Sequence, residues 1–325
     1  MKVTAIAPAN IAFIKYWGKK DEELRLPTNG SISVNLSNLL TTTTVEFNSN
    51  RTEDEVVIND RQNEKERQRV TKHLDRIRKL AKIDYGAHVI SKNTFPTASG
   101  LASSASGFAA LTVAASVSAG LSLSEKELTI LARLGSGSAC RSIPSGYVEW
   151  LKGSTSDSSY AKSLYPPNYW EMTVLVVVVE SKEKEVSTIE GHERVRDNPF
   201  FPTRLSQIDG KIKALKDHLA NKDFQKFGAL IEAEALELHA IALTSRPPIL
   251  YWQPATIAAM RAVWQARQEG VDVYFTIDAG AHLHLLCEKK HVEFATAKLK
   301  QVKGVKEVIA NTPALGARLT DQHLF

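Results

Sequence analysis

The first half of the chain carries short apolar or β-branched runs. KVTAIAP (2–8), ISVNLS (32–37), TTTTVEF (41–47) and AHVISKN (87–93) each have the length and residue types of a strand. Between them, Val70, Leu74, Ile77 and Leu80 fall at spacings of three and four. That period predicts a helix from about Glu64 to Leu80 with one apolar stripe, and Arg67, three residues before Val70, at its edge. A run of small residues, PTASGLASSASGFAAL (96–111), leads into a second helix ending near Gly120. SEKE (124–127) is a capping box that opens a third, which closes at the glycines of LGSGSACRS. GYVEWL (146–151) resumes as strand. Residues 153–169 are polar and proline-containing, a loop or hairpin at a plausible junction. Beyond it TVLVVVV (173–179) reads as a buried strand. Helices are expected over 202–220, 223–243 and 255–268, the last opened by Pro254 and stopped by Gly270. VYFTIDAGAHLHLLCE (273–288) reads as strand, tight turn, strand. Strands and helices mix without regular β-α alternation, so the expectation is an α+β chain of two lobes.

Composition narrows the class. Of 325 residues 43% are hydrophobic and 24% charged, an ordinary globular balance. The net charge of +5 fits an anionic ligand. Basic residues are not interleaved with aromatics, which argues against nucleic acid as a partner. The most basic stretch, 65–80, reads as a solvated helix face. Cys140 and Cys287 lack metal-binding spacing, and two cysteines fit a reduced, cytoplasmic protein. The N-terminus lacks the apolar core and cleavage site of a signal peptide, and no apolar run is long enough to span a bilayer.

The small-residue run admits three readings: linker, close-packed helix face, or phosphate cradle. Leu101, Phe108, Leu111 and Val113 supply apolar anchors that a linker lacks. Close packing needs no serines. A cradle uses every feature: Pro96 and Gly100 let the backbone turn, hydroxyls add donors, and a helix N-terminus offers free N–H groups to an anion. Neither GxxxxGK[ST] nor GxGxxG is present, so the cradle is of another kind.

PTASGLASSASG resembles the Pro-x3-Gly-Leu-x-Ser-Ser loop of the GHMP kinase superfamily. Within it, NIAFIKYWGKKD (10–21), LPTNGSISVNLS (26–37), NTFPTASGLASSASGFAAL (93–111), GSGSACRS (135–142), HAIALTSRPPILYW (239–252) and TIDAGAHLHLLC (276–287) resemble, in order, signatures of the diphosphomevalonate decarboxylase family. The resemblance implies a two-lobed GHMP kinase fold: a ribosomal protein S5 domain 2-like lobe over 1–170 with the ATP phosphate loop, and an α/β sandwich lobe over 171–325. It implies ATP-dependent decarboxylation of mevalonate 5-diphosphate to isopentenyl diphosphate, with Mg2+, in a homodimer.

The resemblance also assigns roles. Asp278, at a strand end before Ala-Gly, would orient or deprotonate the 3-hydroxyl; an Asx turn is the plain alternative. Lys15, among apolar neighbours, would stabilise transferred charge rather than snorkel at a strand end. Arg141 would grip the substrate carboxylate, with Ser136 and Ser138 beside it. Tyr16, Lys19 and Arg67 would reach the 5-phosphate end. Gly100, Leu101, Ala102, Ser103, Ser104 and Ser106 would hold ATP, with Ser104 toward Mg2+. His239, His282 and His284 read as structural, since their spacing makes no metal set. Three departures matter: DAGAH in place of DAGPN, Ser142-Ile143-Pro144-Ser145-Gly146 in place of Ser-Leu-Phe-Gly-Gly, and STIEGH (187–192), with Ile189 where bacterial members carry an arginine. They leave open a 5-monophosphate substrate giving isopentenyl phosphate. A 3-kinase without decarboxylation and a non-catalytic ATP-binding protein are further alternatives.

Overall fold

The computed structural model describes residues 1–95, 103–180, 186–195 and 197–325, without the side chain of Ile189. Pro96, Gly100, Leu101 and Ala102 of the expected phosphate loop therefore lie outside the described residues. In chain order the first half holds β1 (Lys2–Ile14), β2 (Lys19–Asp21), β3 (Leu26–Pro27), β4 (Ser31–Asn48), β5 (Glu55–Ile58), α1 (Glu64–Ala81), β6 (Gly86–Asn93), α2 (Ser103–Ser118), α3 (Glu125–Gly135), β7 (Tyr147–Trp150) and β8 (Ala161–Tyr165). The second holds β9 (Met172–Val179), α4 (Thr188–Arg194), α5 (Phe201–Ala220), α6 (Phe224–Leu243), α7 (Pro254–Gln268), β10 (Val273–Ile277), β11 (Leu283–Glu288), α8 (Val292–Lys300), β12 (Val305–Asn311) and β13 (Arg318–Thr320).

A seven-stranded sheet runs β13-β1-β4-β6-β5, with β7 and β8 continuing from the near end of β4. ISVNLS and TTTTVEF, expected as two strands, are one. β4 pairs β1 along its length and turns from β7 to β6, with register shifts at Pro8/Asn10 and Ala12/Ile14 that let the ladder bend. A second sheet has the order β10-β11-β9-β12. The 153–169 stretch is a hairpin, since β8 pairs β7.

One face of the first sheet packs on α1, α2 and α3 through Val45, Val89, Leu74, Ile77 and Ala110. The other meets the second sheet and helices α5 and α6 through Ile11, Phe13, Val34, Val174, Val176, Leu215 and Phe227. Helices α7 and α8 cover the far side of the second sheet. Helix α1 ends one residue later than expected, and its stripe is Val70, His73, Leu74 and Ile77. Leu80, expected in the stripe, lies on the last turn and is 54% exposed. The capping box of α3 is present: Ser124 Oγ accepts from the Glu127 N–H, and Glu127 accepts from the Ser124 N–H.

Candidate active site

The end of β1 brings Lys15 to the turn after β10, which carries Asp278. Lys15 Nζ donates to Asp278 Oδ1 at 2.6 Å and to the Ala12 carbonyl at 2.7 Å. The lysine is 2% exposed, whereas Asp278 keeps 32% of its side chain accessible to a ligand. Burial lowers Lys15 from its ordinary pKa, opposed by Asp278 and Glu234 and reinforced by Arg141. Burial also pushes Asp278 up, but Lys15, His284 and Arg141 outweigh it and hold the carboxyl below the usual carboxylate range. The 2.6 Å separation has the short length of a charge-assisted hydrogen bond.

Arg141 joins this pair from the 3₁₀ turn Gly137–Ser142. Its Nε donates to Asn10 Oδ1 at 3.2 Å and its Nη1 to Ser31 Oγ at 2.8 Å. Asn10 also donates to Ser142 Oγ and the Ser138 carbonyl, so one amide fixes both the turn and the guanidinium. Among the described residues the Nη2 makes no hydrogen bond, leaving an edge of the fork for an anion. Ser136 is buried, and its hydroxyl lies 3.3 Å from that of Ser104. Ser138 is half-buried.

Tyr16 and Lys19 follow on the same segment. The Tyr16 ring rests on Gly137, where an added Cβ would come within 2.7 Å of the ring. It also meets Trp150 and His192, at 4.6 and 4.4 Å between ring centres. Lys19 is buried and its ammonium pairs with Glu22. His192, which sequence reasoning did not single out, accepts from the Gly18 N–H at 2.8 Å through Nδ1 and stacks on Trp17. Burial holds its pKa at about 3, so this contact is made by a neutral ring.

A cleft of about 100 Å³ opens beside the head of α2, lined by Thr43, Ile58, Arg69, Asn93, Ser103, Ser104, Gly107 and Phe108 among others. Ser103 and Ser104 are on its wall, and the Ser104–Ser136 contact links the cleft to the Arg141 turn. Ser106 does not face it. Its hydroxyl is buried 2.6 Å from Thr41 Oγ1, because α2 turns that position onto β4. Arg67 is not among the cleft residues either; its guanidinium is bound on the helix surface by Glu64 at 2.8 Å. The arginine that α1 presents to the cleft is Arg69.

Of the three histidines, His239 sets its Nε2 3.2 Å from the Asp278 carbonyl, so that nitrogen carries the proton. His284 lies opposite Thr276 across the β10–β11 ladder, on the face where Thr276 meets the Ala12 carbonyl of β1, and its Nδ1 has no hydrogen-bond partner among the described residues. Among the described residues no group of three or more His, Cys, Asp or Glu could hold a metal ion. Among the described residues no helix is long and apolar enough to cross a membrane.

Residues 7–161 match the diphosphomevalonate decarboxylase-like N-terminal domain, and residues 174–318 the mevalonate 5-diphosphate decarboxylase C-terminal domain. The chain is 37% identical to the diphosphomevalonate decarboxylase of Aspergillus fumigatus, over 93% of this chain and 81% of the relative. It is 36% identical to the Homo sapiens enzyme, over 86% and 74%. Among solved structures it superposes on mevalonate diphosphate decarboxylase from Staphylococcus aureus with a TM-score of 0.94, 38% identity and 98% coverage of each chain. MDDEF in complex with MVAPP, AMPPCP and magnesium gives 0.93, 39% and 99% of each. The α+β architecture is accordingly the GHMP kinase fold, and the chain belongs to the diphosphomevalonate decarboxylase family.

Proposed function

We propose that the chain phosphorylates the 3-hydroxyl of mevalonate 5-diphosphate with ATP and then decarboxylates the product to isopentenyl diphosphate. The observation that carries this reading is the 2.6 Å contact between Lys15 and Asp278, with Arg141 in their field. Asp278, ionised and partly exposed, accepts the hydroxyl proton as the oxygen attacks the γ-phosphorus. Lys15 offsets the negative charge that passes across. Arg141, fixed by Asn10 and Ser31, holds the C1 carboxylate so that the C1–C2 bond aligns with the C3–phosphate bond. As C1–C2 breaks, its electrons form the C2–C3 double bond, and carbon dioxide and phosphate leave. The cleft beside α2, with Ser103 and Ser104 on its wall, is assigned to the ATP phosphates. Mg2+ bound through phosphates needs only one or two protein oxygens, and Ser104 can offer one. MDDEF, which carries MVAPP, AMPPCP and magnesium together, supports that ligand set.

Tyr16, Lys19, Ser136 and Ser138 are assigned to the phosphorylated substrate and its carboxylate. Arg67 retains a diphosphate role only if it leaves Glu64. The division at 170/171 is supported by the junction between the two matched domains. The family resemblance extends the reading to a cytoplasmic homodimer. A 5-monophosphate substrate is the second reading, favoured by Ile189 in STIEGH, where an apolar residue replaces an anion-binding one. Measuring ADP and carbon dioxide with each substrate tests both readings by kcat/KM. ADP without carbon dioxide indicates a kinase, and no turnover a scaffold. Asp278→Asn is expected to nearly abolish ADP formation while ATP still binds; activity within about tenfold of wild type refutes the assignment.

A further inference from the structure

Lys15 is the first residue past β1, where the ladder no longer holds its backbone. Its N–H donates to Glu234 Oε1 at 3.2 Å. Its carbonyl accepts from Arg204 Nη2 at 3.1 Å and from Asn29 Nδ2 at 2.9 Å. Arg204 and Glu234 are themselves an ion pair, 3% and 0% exposed, on α5 and α6. Lys211 supports the second Glu234 oxygen at 3.2 Å, and Arg204 Nη1 reaches Asn29 Oδ1 at 3.4 Å. Two helices of the second half thus send opposite charges to the two backbone groups of a single residue of the first half.

A buried ion pair is a poor device for stability, because desolvation cancels much of its attraction. A pair of fixed charges that grips a backbone is a good device for placing a side chain. We propose that Arg204 and Glu234 are positioning residues: they lock the Lys15 backbone across the lobe boundary, so that its ammonium stays aimed at Asp278 and the transferring phosphoryl group. The proposal rests on the role given to Lys15 above. Glu234 also acts through its field. Asp278 and Glu234 face Lys15 with negative charge and Arg141 and Arg204 with positive charge, while His239 and His284 are neutral, both held at about pKa 3. Removing the Glu234 charge favours the neutral lysine.

The test is Glu234→Gln, which keeps shape and an acceptor but not the charge. The expected result is a loss in kcat of about tenfold to a hundredfold with KM for both substrates nearly unchanged, since misplacement by ~1 Å has effects of that size. The basic limb of the pH–rate profile is expected to move to lower pH. A folded variant with wild-type kcat and an unmoved basic limb overturns the proposal. Should Glu234→Gln not fold, the double variant Arg204→Met/Glu234→Leu replaces the pair by apolar groups of similar volume, an exchange that is often neutral for stability. Low kcat at near wild-type Tm supports the clamp; wild-type kcat overturns it. Lys15→Met separates the two levels. If Lys15→Met is itself active, the reading of the site fails; if it is inactive while Glu234→Gln is not, the clamp alone fails.

Discussion

Breaking the Lys15–Asp278 pair from either side should have unequal consequences for stability. Lys15→Met leaves a carboxylate that is 32% exposed and can be hydrated. Asp278→Ala leaves an ammonium that is 2% exposed, with the Ala12 carbonyl as its remaining hydrogen-bond acceptor. That ammonium can shed its proton, which caps the cost. At pH 7.5 the ordinary lysine pKa of 10.5 lies three pH units away, at about 1.4 kcal/mol each, so the ceiling is about 4 kcal/mol. For 325 residues the entropy of unfolding is about 0.7 kcal/mol per degree, so the ceiling corresponds to a fall in Tm of about 6 °C. Lys15→Met should cost about 1 kcal/mol, under about 2 °C, as for other partly exposed pairs. The sign of the pH dependence follows from the same numbers. In Asp278→Ala the folded-state lysine pKa lies below its unfolded value. The variant therefore recovers stability as pH rises toward 10.5, and at pH 9.5 the ceiling is about 1.4 kcal/mol. Scanning calorimetry of both variants at the two pH values, without nucleotide, is the measurement. A Tm for Asp278→Ala at or above that of Lys15→Met, or a gap that does not shrink between pH 7.5 and 9.5, would refute the reasoning.

Three more outcomes are expected. Burial holds His73, His192, His239 and His284 at about pKa 3 in the fold, against 6.5 unfolded; their contribution is complete above pH 6.5 and is lost as pH falls toward 3. The four together give a slope of up to about 5.5 kcal/mol per pH unit, so a denaturation free energy that stays flat from pH 6.5 to 4.5 contradicts their burial as neutral rings. Gly107 lines the cleft and an added Cβ there meets nothing within 4 Å. Gly107→Leu should leave Tm equal or higher, since helix propensity favours leucine by up to about 1 kcal/mol, and abolish ATP binding by calorimetry. Gly137→Ala places a methyl 2.7 Å from the Tyr16 ring; KM for the phosphorylated substrate should rise about tenfold while KM for ATP is unmoved, and equal changes in both would remove Tyr16 from the substrate site.

What the sequence disclosed followed from the range of the interactions involved. Helices α1 and α3 were legible because period, caps and charge agree within one segment. The fusion of two expected strands into β4, and the return of β13 to pair with β1, depend on partners far along the chain. Lys15, Arg141 and Asp278 were singled out by family resemblance and by the oddity of a lysine among apolar residues, and the fold brings the three together. Their supports were not, because Asn10 meets Arg141 across 131 positions and Glu234 meets Lys15 across 219. A local signal did exist. Arg204 precedes Ile208 by four residues, and Glu234 lies between Ile231 and Leu238, so both charges occupy the buried stripes of their helices. Arg67 was judged by the same rule and proved to be surface-held, because the first turn of α1 projects beyond its packed stripe, which starts at Val70. A charge in an apolar stripe therefore marks a candidate anchor only where the flanking turns of that stripe are covered. That condition separates Arg204 from Arg67, and it is set by the opposing lobe rather than by the helix that carries the charge.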